Sequence, residues 1–274
     1  MQRVSKFVLI GFLAWILLRP QTAASHDGWV EVSPAIVENG QVVTIALIQG
    51  NHSNEHRSYR IAGKWDQKYT TLDVINSAGK KQSLTNRLID FGEDDDKVGP
   101  KGPKGFYLAP FTPNEEGLYQ AVARQVRTVQ QGDGPKLLTM RIAKTAFASL
   151  NVPGVLTAKD LKGFDSGAGA GDGLEISLIS NPMAIFPGSS VILELHLKGK
   201  PVTGKTISLI PRMGGASSVQ DQTSDEKGRV TFAVGPSDFY LARANLEEEK
   251  PRPDGRADKN SYEATYVFQA FNRP

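Results

Sequence analysis

The chain has no cysteine, only four histidines and four methionines, and its longest apolar run, residues 7–18, is 12 residues long. Each scarcity excludes something. Without thiols there is no disulfide framework, no zinc ribbon and no cysteine nucleophile. A metal ion held by this chain must take histidine, carboxylate, methionine, backbone or chain-terminal ligands, and four histidines make a short list. The apolar run falls short of the roughly 20 residues that a spanning helix needs. There is no Gly-x-Ser-x-Gly elbow and no His-Glu-x-x-His pair, and the glycine-rich residues 167–173 lack the Lys-Ser/Thr of a phosphate loop. These absences point away from an enzyme. The basic excess is local as well: the formal charge of +3 falls to 0 once Arg3, Lys6 and Arg19, which lie in a segment without acids, are set aside. No Lys/Arg cluster interleaved with aromatics remains to follow a phosphate backbone, so nucleic acid is not an expected partner.

What is present starts with a positive segment, Arg3 and Lys6, followed by the apolar run, then Arg19-Pro20 and the small residues Gln21-Thr22-Ala23-Ala24-Ser25. This is the layout of a secretory signal peptide over residues 1–25, so the expected protein is secreted and has no membrane span after cleavage. Cleavage after Ser25 leaves His26 first, with an α-amine and an imidazole that can chelate one metal ion together. Cleavage after Ala24 keeps Ser25 in front and removes that chelate. The intact mass of the exported protein decides between the two.

The remainder reads as strands and turns. Trp29-Val30-Glu31-Val32, Val42 through Ile48, Thr71 through Ile75, Phe106 through Phe111 and Gly117 through Ala123 are short, β-branched or alternating, and are separated by turn signals such as Glu38-Asn39-Gly40 and Asn76-Ser77-Ala78-Gly79. Residues 137–150, with Ala143, Ala146 and Ala148, read equally as a short helix or a last strand. Five glycines between Gly163 and Gly173 mark a flexible connector. Beyond it, about seven further strands within about 100 residues fit an immunoglobulin-like sandwich. The expected fold is all-β, with two antiparallel sandwiches: residues 26–150, a Gly-rich linker at 151–173, and an immunoglobulin-like domain at 174–274.

Several segments taken together resemble a known family. They are His26-Asp27-Gly28-Trp29 after the signal peptide, Gly50-Asn51-His52 after the second strand, and Ser180-Asn181-Pro182-Met183-Ala184-Ile185-Phe186-Pro187-Gly188 before a strand ending in Gly199-Lys200-Pro201. Thr223 through Arg229 and a Tyr240-led strand complete the set. The chain is similar in these to an exported two-domain β-sandwich family classed as a domain of unknown function and often labelled a periplasmic component of cobalt/nickel ABC-type uptake. The resemblance implies a periplasmic location, a membrane metal-uptake transporter as partner, and His26 and His52 as the recurrent histidines. Where members often carry a further histidine after the Tyr-led strand, this chain has Ala244-Asn245-Leu246-Glu247.

The residues themselves give a compatible candidate site. Imidazole suits nickel, cobalt, copper and zinc, and two to four such ligands make a site. His56 follows His52 by four residues, so His26, His52 and His56 form a candidate metal constellation, with Asp27 or Glu55 supplying charge. Ligand imidazoles must be neutral, so affinity of such a site falls below about pH 6.5. His196 alternates with an apolar face beside Glu194 and reads as a solvated strand position. Glu93-Asp94-Asp95-Asp96 lacks the spacing of a calcium loop and reads as a solvated segment. Trp29 and Trp65 read as buried aromatics in preference to a sugar-stacking pair. The expected function is exported binding of a divalent transition metal; the alternative is a structural or adhesive cell-envelope module without metal chemistry.

Overall fold

Runs of alternating or continuous β-branched residues between turn signals become strands throughout the computed structural model, which describes residues 26–51, 59–93, 103–130, 132–151, 171–212, 219–249, 251 and 255–271. The first half carries β1 (Asp27–Ser33), β2 (Ile36–Glu38), β3 (Val43–Asn51), β4 (Arg60–Gly63), β5 (Thr70–Asn76), β6 (Lys81–Ser83), β7 (Ile89–Asp90), β8 (Phe106–Phe111), β9 (Gly117–Val129) and β10 (Leu137–Leu150). The second half carries β11 (Leu174–Leu178), β12 (Ser190–Leu197), β13 (Lys200–Pro201), β14 (Thr206–Pro211), β15 (Gln220–Thr223), β16 (Arg229–Ala233), β17 (Phe239–Glu248) and β18 (Lys259–Gln269). The chain is all-β, as expected. The expected signal peptide, residues 1–25, and most of the glycine-rich connector, residues 152–170, lie outside the described residues. Among the described residues no helix is long and apolar enough to cross a membrane.

Three sheets account for these strands. One runs β1-β3-β8-β7 with β4 on β3, a second β11-β12-β13 with β16 on β12, and a third β15-β14-β17-β18-β10-β9-β5-β6 with β2 on β10. Pairing is antiparallel except for two contacts of β10: with β2, and with β18 over nine positions from Leu137↔Lys259 to Thr145↔Val267. Parallel neighbours need a long crossover. Here the crossover is the rest of the second half, so the sheet runs unbroken from one half of the chain into the other.

Side-chain alternation then fixes the layers. On β10, Leu138, Met140 and Ile142 belong to the core with Leu193, Phe232 and Tyr266, whereas Ala143 and Phe147 belong to the core with Val30, Ile45 and Leu72. Successive side chains of a strand point to opposite faces, so the two cores lie on opposite sides of the shared sheet. The smaller sheets cover one side each, offset from one another. The second-half layer with β11–β18 is the immunoglobulin-like sandwich. β10 is a strand and not a helix because it is buried on both faces; such strands lose simple alternation and fill with small and apolar residues.

One ion pair is sealed inside. Lys144 of β10 is 1 % exposed and bonds Glu175 of β11, itself buried. Burial pushes the Lys144 ammonium below its usual range, and Glu175 pulls it back. A buried pair contributes little net stability, but losing one partner strands the other charge. Lys144→Met is therefore expected to lower unfolding free energy by about 3–5 kcal/mol. Lys144→Met combined with Glu175→Gln should recover at least about half of that loss, read by urea denaturation at neutral pH.

Candidate functional site

Strand β1 is the outermost strand of its sheet: β3 pairs with it on one side, and among the described residues no strand pairs with the other. Four outward backbone groups of β1 and of His26 just before it bond side chains of the central sheet. Gly28 N–H donates to Glu263 Oε1 at 2.7 Å. Thr265 Oγ1 donates to the Gly28 carbonyl at 2.7 Å, Arg141 Nη2 to the His26 carbonyl at 2.8 Å, and Gln269 Nε2 to the Val32 carbonyl at 3.3 Å. Unpaired buried backbone groups are expensive, so these contacts substitute for a missing neighbour strand.

Arg141 and Glu263 also bond each other in a fork, Nε to Oε1 at 2.8 Å and Nη2 to Oε2 at 2.9 Å. They sit opposite one another in the β10–β18 register. The Arg141 guanidinium lies 5.3 Å from the Trp65 ring centroid, and the Trp65 indole N–H donates to the Ile48 carbonyl. Burial pushes the Glu263 carboxyl upward, and the Arg141 charge opposes it. A bidentate charge-assisted pair holds both groups in one geometry. Gly28 is the residue that lets them approach β1: a Cβ there would fall 2.4 Å from Arg141 Cδ and 2.8 Å from Trp65 Cζ2.

The neighbouring side chains complete the seam. Asp27 is 4 % exposed, and its Oδ2 accepts from Arg243 Nη1 at 2.6 Å. Trp29 packs with Ile210, Phe239, Leu241 and Val267, and its indole N–H donates to Glu31 Oε1 at 2.7 Å. Arg212 bonds Glu31 and stacks on Phe239 and Tyr59, 3.7 and 4.7 Å from their ring centroids. Burial raises the Tyr59 hydroxyl well above its usual range despite Arg212 nearby.

His26 stands at the open end of this seam, partly buried. The β1–β3 register puts Asp27 opposite Gly50, and His26 Nδ1 meets Asn51 Oδ1 at 2.7 Å. An amide oxygen only accepts, so Nδ1 is the donor in this contact. His52 follows Asn51 in sequence; His52, Glu55 and His56 lie outside the described residues. Asp27, considered as a source of charge for a metal, has its carboxylate buried against Arg243. Among the described residues, no three His, Cys, Asp or Glu side chains gather as a metal site. His196 lies on β12, opposite Glu175 and Pro201 and 3.9 Å from Glu194, in the second-half sheet that lacks β1. Trp29 and Trp65 are 2 % and 1 % exposed, so neither offers a stacking face.

Arg141, Glu263 and Arg243 escaped the sequence reading. Their one signal was a charge inside an otherwise apolar strand, as in Tyr262-Glu263-Ala264-Thr265-Tyr266, where a buried partner is required. Nothing in the sequence says which partner.

The model of the family "Domain of unknown function (DUF4198)" matches residues 23–248, and the chain belongs to that family. No curated protein sequence matches it significantly. Among solved structures, a Salmonella α-2-macroglobulin reacted with methylamine is 12 % identical, with 89 % of this chain and 15 % of that one covered at a TM-score of 0.25. A DUF4785 family protein from Legionella pneumophila is 9 % identical, with 86 % and 54 % covered at a TM-score of 0.26. The Escherichia coli adhesin FdeC is 11 % identical, with 88 % and 65 % covered at a TM-score of 0.21. The chain thus spans about one seventh and about half the length of the first two. Likeness at this level says nothing about activity.

The seam makes a direct mechanical forecast. Gly28→Ala must displace the Arg141 side chain from its fork with Glu263, and should lower unfolding free energy by about 1–3 kcal/mol in urea denaturation.

Proposed function

We propose that this DUF4198 member is an exported binding protein for a divalent transition metal (nickel, cobalt or copper), with His26, His52 and His56 as its ligands, and that it serves metal uptake or homeostasis. The observation that supports this reading is the contact between His26 and Asn51, which draws the first histidine beside the residue directly before the second. Two histidines 26 positions apart are thereby attached to neighbouring backbone. The ligand chemistry is compatible with this reading, since imidazole nitrogen suits these ions.

In this reading Asn51 is the outer partner that fixes the His26 tautomer, a usual arrangement for a ligand histidine. The metal is the cargo and meets Nε2. An amine–imidazole chelate at a processed His26 would instead need Nδ1, so the Asn51 bond favours capture by rings over a histidine brace. The clamp of Arg141 on the His26 carbonyl keeps the ring's backbone still, which lowers the ordering cost of binding. A membrane metal-uptake transporter is the partner this function calls for.

Titration calorimetry of Ni(II) or Cu(II) into the purified exported protein tests the proposal. His26→Ala and His52→Ala are each expected to weaken binding at least about tenfold. Unchanged affinity in His26→Ala removes that residue from the site. A protein that takes up no metal after loading, by mass spectrometry, leaves the adhesive module as the better account.

A further inference from the structure

On the opposite face of the central sheet from β1, beside the start of the second sandwich, lies a cavity of about 580 Å³. Its lining can be read from strand register. Asp73 of β5 sits between Ser83 of β6 and Val122 of β9; Thr71 of β5 sits opposite Arg124 of β9, which in turn faces Ile142 of β10. Val126 and Tyr69 continue the same face. The volume lies within the range of about 300–1,000 Å³ typical of small-molecule sites.

The chemistry of this lining is mixed in a particular way. Val122, Val126 and Ile142 give an apolar floor, and Tyr69 adds an aromatic ring that is 43 % exposed. Around them stand the hydroxyls of Thr71 and Ser83 and two ion pairs. Asp73 bonds Lys81 at 2.7 Å, and Arg124 bonds Asp172. Each of these two cations faces a carboxylate, so the two pairs add no net charge, and the Lys68 ammonium lies 5.3 Å from the Tyr69 ring centroid. An anionic ligand would meet Asp73 and Asp172; a cationic one would meet Lys81 and Arg124. A wholly apolar ligand would strip water from four charged groups. A zwitterion would have to pull both pairs apart.

A neutral ligand with closely spaced hydroxyls avoids all four penalties. A carboxylate has about four acceptor sites and a guanidinium five donors, so both pairs can stay intact and still bond hydroxyls. The C–H face of a sugar ring fits an apolar floor and an exposed tyrosine, whose body is apolar and whose tip is polar. We propose that this groove binds a neutral oligosaccharide, with Tyr69 as the stacking residue and Asp73, Arg124, Thr71 and Ser83 as the hydroxyl partners. The site is separate from the His26 end of β1 and does not rest on metal binding.

An array of neutral and charged oligosaccharides probed with the purified exported protein, followed by calorimetry on the strongest neutral ligand, tests this. Tyr69→Ala should weaken that binding by about tenfold, and Tyr69→Phe, which keeps the ring, should stay within about threefold. Arg124→Ala should also weaken it, whereas Phe91→Ala, on the other small sheet's side, should leave it unchanged. Tyr69 is exposed, so thermal midpoints of its variants should match the parent and confirm folding. The proposal is overturned if no neutral oligosaccharide binds, if charged glycans bind and neutral ones do not, or if Tyr69→Ala binds as well as the parent.

Discussion

The fork between Arg141 and Glu263 is the contact on which the rest of the molecule depends. It joins β10 of the first half to β18 of the second, and both partners reach past each other to hold the backbone of β1 at His26 and Gly28. An isolated buried carboxylate or guanidinium would be prohibitively costly. Together, with a backbone N–H and a carbonyl completing their bonds, they convert an unpaired strand edge into a sealed one. Trp65 roofs the guanidinium, and Gly28 has no Cβ to push it away. The same contact sets where His26 stands, so the geometry of the proposed metal site inherits its precision from a pair that never touches the metal.

Three layers follow from this arrangement. A sheet that is shared by two cores must present apolar side chains on both faces, and β10 does so with Met140 and Ile142 on one side and Ala143 and Phe147 on the other. Where a charged residue interrupts the pattern it is paired: Lys144 with Glu175 on one face, Arg141 with Glu263 on the other. Such pairs are better at specifying one register than at adding stability, because a slip by one residue would expose the cores and strand the charges together. That is a physical reason for a parallel junction, ordinarily the weaker kind of pairing, to be unique here.

Strand identity was largely legible in the sequence, and strand partnership was not. Val191, Leu193 and Leu195 alternate and are buried as alternation requires. The turn at Asp225–Gly228 forms as its residues dictate, with Asp225 accepting from the Lys227 and Arg229 N–H groups at 2.8 Å and Gly228 at positive φ. Residues 137–150 were ambiguous because burial on both faces erases the period of two from which a strand is read. The shared sheet was illegible for a different reason. It depends on Arg141 meeting Glu263 across 122 positions, and a charge in an apolar strand announces a need for a partner without naming it. The proximity of His26 to Asn51 falls between these cases, since it follows from pairing the first two long strands, but only in the register that places Asp27 against Gly50.

The His26 end of β1 and the groove lie on opposite faces of one sheet, and β10 serves both: Arg141 faces β1 and its neighbour Ile142 lines the groove. Contiguity of this kind invites the idea of coupling between them. Coupling, though, requires an element with two arrangements that each ligand favours differently. β10 is paired along nine positions with β18 and along 13 with β9, and its charged side chains are locked on both faces. A strand so fixed has one arrangement to offer. Its structure therefore makes it a partition between independent sites: occupation of the groove should leave metal affinity at His26 where it was.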